Sequence, residues 1–294
     1  MATVTAHLVD ALPYVFRAWF SLPSSMTDPQ GQPVNAVYGF TDFLCRYLGG
    51  ERPTHAAVAF DESLTTSFRN DLYPPYKAQR ELPPPEFERQ IERCQRVARA
   101  LGLATFAHRR YEADDLIATL GAGLREQGHR VVVTTVDKDL TQLVGEGCQV
   151  YDWAKGIRYG PAEVKEKMGV RPEQVPDLLG LAGDAVDNIP GVKGVGPKTA
   201  CALLAEFDDL DAVYADLGRV AELPIRGAAG VVKKLQAQKD EAFLSRELAT
   251  VATDAPVEAR LDELAWRGPS DAAVEAVFDE LGFGRLRGRV PKGP

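Results

Sequence analysis

The chain has 294 residues, 45% hydrophobic and 26% charged, which is ordinary globular material with length for one large domain or two moderate ones. A net charge of -8 and a pI near 5.2 argue, taken alone, against a phosphate-backbone partner, which normally shows as a basic excess. Cys45, Cys94, Cys148 and Cys201 lie far apart, with no C-x-x-C pair and no histidine at ligand spacing, so they read as small buried hydrophobes of a reducing cytosol rather than zinc ligands.

The N-terminus MATVTAHLVD enters a strand-like run directly, with neither a basic leader nor a long apolar one. No later stretch approaches the roughly 18 apolar residues of a membrane span, so a cytoplasmic protein without a membrane partner is expected. HLV at 7–9 is the first predicted strand and AAVAF at 56–60 the second. The segment from Arg69 to Pro85 is broken by prolines and interleaves Arg69, Lys77 and Arg80 with Tyr73 and Tyr76; on composition it reads as a solvated connection. Phe87, Ile91, Cys94, Val97, Ala98 and Leu101 then fall at helical spacing and predict an amphipathic helix over 86–101. ATFAH at 104–108 and VVVTTV at 131–136 complete the strands, alternating with helical patterns as in an α/β fold with a twisted, mostly parallel sheet flanked by helices. After about residue 165 the texture is helical, and the tail 285–294, RLRGRVPKGP, reads as frayed.

The strands at 7–9, 56–60 and 131–136 run into Asp10, Asp61 and Asp137, which places three carboxylates at one sheet edge, where open α/β sheets bind ligands. Glu112, Asp114 and Asp115 crowd the start of the helix carrying LIATL, Asp139 follows Asp137, and GDAVD adds Asp184 and Asp187. Two carboxylates about 4 Å apart repel by roughly 4 kcal/mol at an effective dielectric near 20, so such a group needs countercharge. Hard oxygen donors without His or Cys point to Mg²⁺ or Mn²⁺, two ions forming the usual clamp for displacement at phosphorus.

The run GVKGVGPKT brackets Lys193 with Gly191, Gly194 and Gly196 and opens a helix at Pro197 and Lys198, a backbone suited to gripping phosphate. Arg226, Lys233 and Lys234 follow. The acidity is thus partly the metal cage, while cations gather where a duplex backbone can lie.

In order, LVD, FD, FRNDLYPPYKAQR, EADD, VDKDLTQL, GDAVDNIPGVKGVGPKTA, RGAAGVVKKL and LSRELAT span nearly the whole chain. This set resembles the 5′ nuclease family: the 5′–3′ exonuclease domain of bacterial DNA polymerase I, phage flap endonucleases and stand-alone bacterial relatives. The resemblance implies a PIN-like nuclease core over 1–165 with a helical arch at about 69–100, a helix-three-turn-helix over 166–260, and a C-terminal segment, 261–294, packing back on the core. It implies Asp10, Asp61, Glu112 and Asp114 as ligands of a first metal with Asp115 shared or adjacent, and Asp137, Asp139, Asp184 and Asp187 as a second group. It further implies Lys77 and Arg80 as cations on the scissile phosphate, Tyr76 as a stacking residue for the terminal base, Arg17 and Arg69 as DNA contacts, and K⁺ at the hairpin. This chain departs from the family where Asp10 is followed by Ala11, Leu12 and Pro13 instead of glycine and small polar residues. With no polymerase sequence after residue 294, a free-standing monomeric nuclease with a functional link to a polymerase is expected.

The resulting expectation is a 5′–3′ exonuclease or 5′-flap endonuclease of DNA leaving 5′-phosphate ends, in replication or repair. Its rivals are a catalytically weak structure-specific DNA-binding protein and a PIN-type ribonuclease.

Overall fold

A computed structural model of the protein describes residues 3–63 and 65–293. Its centre is a six-stranded sheet ordered β3-β2-β1-β4-β5-β6. The strands are β1 (Thr5–Asp10), β2 (His55–Asp61), β3 (Ala104–His108), β4 (Arg130–Thr134), β5 (Cys148–Asp152) and β6 (Ile157–Tyr159). All neighbours are parallel except β6, which runs antiparallel along β5. Both faces of β1, β2 and β4 are covered, which is why their sequences read as continuous apolar runs. The order reverses between β1 and β4, making the carboxyl ends of these two strands the switch point.

Side chains alternate between two cores. Leu8, Ala57 and Val133 face one, and Val9, Val58 and Val132 face the other. The second core is closed by α1 (Leu12–Ser21), α2 (Asn35–Glu51) and, beyond the short α3 (Phe68–Leu72), by α4 (Pro85–Ala100). The first core takes α5 (Ala113–Glu126) and the helical half: α6 (Pro161–Met168), α7 (Val175–Ala182), α8 (Pro197–Glu206), α9 (Leu210–Ala215), α10 (Leu217–Glu222), α11 (Ala228–Ala237) and α12 (Lys239–Ala249). Beyond it lie α13 (Leu261–Leu264) and α14 (Asp271–Leu281), the latter returning to pack near α4. No helix among the described residues is long and apolar enough to cross a membrane.

The helix expected over 86–101 is α4, and Phe87, Ile91, Cys94, Val97, Ala98 and Leu101 are all buried. Because this stripe packs on α2, the inner face of α4 lies on the second core. Two strands escaped the sequence reading. β5 is only five residues with Gln149 turned outward, and β6 only three. The strand expected to reach residue 136 ends at Thr134, leaving Val136 exposed. The tail is not frayed over 285–293: Leu286 is buried in the second core, and Arg287 and Arg289 pair with Asp279 and Asp42. Pro294 lies outside the described residues. Cys45, Cys94 and Cys148 are buried and Cys201 half-buried, all as free thiols.

Candidate metal centre and nucleic-acid surface

The register of the sheet assembles the site. Thr134 of β4 lies opposite Val9, so Thr135 comes level with Asp10 and its hydroxyl donates to the Asp10 carboxylate at 2.8 Å. The same hydroxyl accepts the Asp137 N–H at 3.0 Å, and Asp137 in turn accepts the Asp139 N–H at 2.8 Å. Thr135 thus knits the end of β1 to the turn after β4. The sequence reading missed it, although its place beside the strand-terminal aspartate was a usable signal. On the other side of β1, Asp61 accepts the Ala113 N–H at 2.6 Å, a carboxylate at the N-terminus of α5 as the helix dipole favours.

The carboxyl groups near the switch point are held under mutual repulsion. Burial raises Asp10 to about 8, against the opposing Thr135 hydrogen bond, with Asp61 and Asp137 adding to the rise. Burial and then the Glu112 charge lift Asp61 to about 6. Asp114 is pushed well up by burial and by Asp10 and Asp137. Asp139 reaches about 7 through burial and Asp137, with Asp184 and Asp187 also acting on it. The acids therefore fall into two neighbourhoods: Asp10, Asp61, Glu112 and Asp114, and Asp139, Asp184 and Asp187. Asp137 stands between them.

Cations pair with four of these acids. Lys77 Nζ lies 2.8 Å from Glu112 and 3.6 Å from Asp187, Arg80 pairs with Asp187, and Lys138 Nζ lies 2.5 Å from Asp184 and 3.7 Å from Asp139. Burial would raise Glu112, but Lys77 and Arg69 outweigh it and hold the carboxyl below its usual range. Asp184 is likewise lowered, the Lys138 bond and the Val186 N–H prevailing over burial. The VDKD spacing could have flagged Lys138 as a partner.

Asp10, Asp61, Asp114 and Asp137 form no ion pair among the described residues, and the buried Oδ1 of Asp139, though 3.7 Å from Lys138 Nζ, lacks any hydrogen bond. An all-oxygen, anionic donor set with an orphaned carboxylate oxygen fits hard divalent cations. Among the described residues no three His, Cys, Asp or Glu side chains are posed around a single ion position.

Several residues expected in the site are used otherwise. Arg69 is 2% exposed and its guanidinium is saturated. It donates to both Asp115 oxygens at 2.8 Å, to Glu112 at 3.3 Å, and to the Leu248 and Thr250 carbonyls at 2.8 and 2.9 Å. All five donors of the fork are thereby used, and none is left for DNA. Asp115, fully buried, also accepts the Glu112 and Ala252 N–H groups, so each of its oxygens already takes two hydrogen bonds. Tyr76 is 4% exposed, with its hydroxyl at 3.1 Å from Glu112 and 3.3 Å from Asp187, so its ring is not free to stack on a base. The turn bearing it is no solvated connection. Lys77 N–H donates to the Asp187 carbonyl at 3.0 Å, Asn188 Nδ2 to the Pro75 carbonyl at 2.6 Å, and Gln79 to the Ala185 and Val186 carbonyls.

In the glycine run, Gly191 is buried at φ +60° and donates to Ser245 Oγ at 2.9 Å, so it shapes the hairpin instead of touching a ligand. Lys193, Gly194, Gly196 and Lys198 are exposed at its tip, and Lys233 and Lys234 are exposed on α11 beside it. Gln238 accepts the Lys193 N–H at 2.8 Å and Lys234 Nζ donates to the Gly194 carbonyl at 2.9 Å, which ties the hairpin to α11. Arg17 is exposed on α1, away from the cluster of Lys77 and Arg80.

Known proteins are similar to this chain in sequence and in fold. Two family models match in tandem, "5′-3′ exonuclease, N-terminal resolvase-like domain" over residues 5–169 and "5′-3′ exonuclease, C-terminal SAM fold" over residues 170–272. The chain is 41% identical over 287 residues to DNA polymerase I of Bacillus subtilis (strain 168), covering 96% of this chain and 32% of that protein. It is 41% identical over 284 residues to DNA polymerase I of Pseudomonas aeruginosa, covering 96% and 31%. It thus spans about a third of the length of these relatives. Among solved structures, the fold is similar to T5 5′-exonuclease with divalent metal ions (zinc) bound, at TM-score 0.68 and 20% identity over 94% of this chain and 99% of that one. It is also similar to the catalytic core of Rad2 in complex with DNA substrate, at TM-score 0.64 and 16% identity over 98% and 92%. With both family models in chain order, and a sheet edge of strand-terminal aspartates leading into the helical half, the chain belongs to the 5′–3′ exonuclease family.

Proposed function

We propose that this chain hydrolyses DNA phosphodiester bonds at a 5′ end or 5′ flap, leaving 5′-phosphate products, with two Mg²⁺ or Mn²⁺ ions. The observation that carries the reading is the gathering of Asp10, Asp61, Asp114 and Asp137 at one sheet edge under mutual repulsion, without ion pairs of their own among the described residues, next to Asp139 with its orphaned Oδ1. Divalent ions bound there would activate a water and stabilise the leaving oxygen. Asp10, Asp61, Glu112 and Asp114 would hold one ion and Asp137, Asp139, Asp184 and Asp187 the other. Thr135 orients Asp10 and Asp137 between the two. Lys77 and Arg80 now neutralise Glu112 and Asp187, and a phosphate competes for the same cations. Lys193, the tip glycines, Lys198, Lys233 and Lys234 grip a duplex backbone away from the cut, with Arg17 as a further contact. A K⁺ ion at the hairpin has to compete with the Lys234 ammonium for the Gly194 carbonyl. A monomer acting alongside a DNA polymerase in replication or repair is the setting the relatives suggest.

The test is cleavage of a labelled 5′-flap duplex, and of a matched RNA strand, in Mg²⁺, in Mn²⁺ and in EDTA. Cleavage of the DNA with either ion and none in EDTA is expected, and Asp114→Asn should lower it by at least about 100-fold, typical of losing a group that stabilises reacting charge. DNA bound but uncut with every ion would replace the proposal by a binding protein; cutting of RNA alone, by a ribonuclease.

A further inference from the structure

Lys138 lies between Asp137 and Asp139 in sequence, on the turn that follows β4. Its backbone is pinned there, because its carbonyl accepts the Thr141 N–H at 3.0 Å where the short 3₁₀ turn Asp139–Leu143 begins. Its side chain is not. The lysine side chain is 43% exposed, and its ammonium lies 2.5 Å from Asp184 Oδ2 and 3.7 Å from Asp139 Oδ1. The second distance is beyond hydrogen-bond reach, and that Asp139 oxygen is the buried one without any hydrogen bond.

Asp184, by contrast, is fixed. It is buried, its N–H and carbonyl pair with Ile189 at 2.9 and 2.8 Å, and its Oδ1 accepts the Val186 N–H at 2.7 Å. Among the described residues its Oδ2 has one hydrogen-bond partner, the Lys138 ammonium. Any further cation drawn to Asp139 and Asp184 therefore meets a positive charge already seated on the oxygen it needs. Moving that charge aside is cheap, since a partly exposed ion pair is worth no more than about a fivefold factor. The first acidic group has no equivalent, for Asp10, Asp61 and Asp114 form no ion pair among the described residues.

We propose that the Lys138 ammonium is the resting countercharge of the second acidic group, and that it competes with a divalent ion for Asp139 and Asp184. The inference rests on the two-ion reading and adds to it the residue that sets how tightly the second ion is held. Lys138 is a positioning residue in this sense: it keeps Asp184 and Asp139 together while the group is empty, and it makes this position the weaker of the two.

The probe is Mn²⁺ itself, titrated into the full chain without DNA and followed by the electron paramagnetic resonance signal of the free ion. The wild type should show a tight and a weak class of site. Lys138→Met, which keeps the stem and removes the charge, should tighten the weak class by about fivefold and leave the tight class as it was. Lys138→Gln should do the same, and Lys138→Arg, which keeps the charge, should not tighten it. Adding Asp184→Asn to Lys138→Met should abolish the tightening. Equal Mn²⁺ curves for the wild type, Lys138→Met and Lys138→Gln would overturn the inference. So would equal tightening of both classes, the mark of a lysine acting only through net charge. The same preparations are assayed on the 5′-flap duplex in Mn²⁺. Cutting with unchanged binding curves sinks the role of Lys138 and leaves the nuclease reading standing; selective tightening without cutting does the reverse.

Discussion

Arg69 contacts five oxygens, and three of them lie on groups that bear on the site: both oxygens of Asp115 and one of Glu112. The remaining two are carbonyls at the end of α12, so one buried side chain ties the start of α5 to the helical half. Removing one member of a buried ion pair leaves the other uncompensated, so Arg69→Ala should cost about 3–5 kcal/mol, read from urea denaturation. Arg69→Lys keeps the charge but offers at most three donors and should fall between the two. A loss under about 1 kcal/mol for both variants would refute the role. His7 makes a second residue-scale prediction. Its Nδ1 lies 2.6 Å from the Tyr47 hydroxyl, and burial lowers its pKa to about 4. Between the unfolded value near 6.5 and about 4 the unfolded chain takes up a proton that the native chain refuses, so stability from this group falls as pH drops through that window. From about pH 7 to about pH 5 the wild type should lose roughly 2 kcal/mol more than His7→Gln does. Equal losses would show the ring to be protonated in the fold.

The hairpin between α7 and α8 needs its glycines unequally. A Cβ on Gly191, at φ +60°, would stand 2.2 Å from the Gly183 nitrogen, whereas one on Gly196 would meet nothing within 4 Å. Gly191→Ala should therefore destabilise the fold by several kcal/mol, on the order of other forced overpackings and left-handed strains combined. Gly196→Ala should melt as the wild type does while binding duplex DNA more weakly, because only the approach of a backbone is obstructed. Thermal melting paired with DNA titration separates the two; a Gly191→Ala protein of wild-type stability would contradict the hairpin geometry. The turn from Pro75 to Arg80 is a comparable element. It carries Lys77 at φ +54° against a loop with Asn188 at φ +58°, two left-handed non-glycine residues held where the two segments bond to each other. The prolines made this stretch read as a solvated connection, because its partners sit more than 100 residues away, as the separations of 106 and 113 for Gln79 and Asn188 show.

For the molecule as a whole, the acidic cluster links stability to pH and, on the proposed reading, to divalent ions. Asp10, Asp61 and Asp139, raised to about 8, 6 and 7, hold protons in the native chain that the unfolded chain has already lost above about 4. In EDTA their contribution to stability therefore falls as pH rises from about 4 to about 8. Divalent ions that bind only the native chain oppose that loss, so Mg²⁺ or Mn²⁺ should raise the melting temperature more near pH 8 than near pH 5. A shift of equal size at both values, or none at either, would count against a shared metal site.

The α/β class, four of six strands, α4, the hairpin and most of the acids were legible in the sequence. These features are local: period-2 and period-3.6 patterning, strand ends marked by aspartate, and glycine spacing. The sequence by itself therefore determined that strand-terminal aspartates would stand along one sheet edge and that a glycine-rich turn would open a helix. Only the tertiary structure decided which of them keep their charge exposed to a cation. Asp115 is answered by an arginine 46 residues away, Asp184 by a lysine 46 residues away, and Arg69 is anchored to carbonyls about 180 residues distant. Countercharge depends on which chain segments fold against one another, and a guanidinium that looks solvent-facing in a broken, polar stretch becomes a buried tie once a distant helix end closes over it.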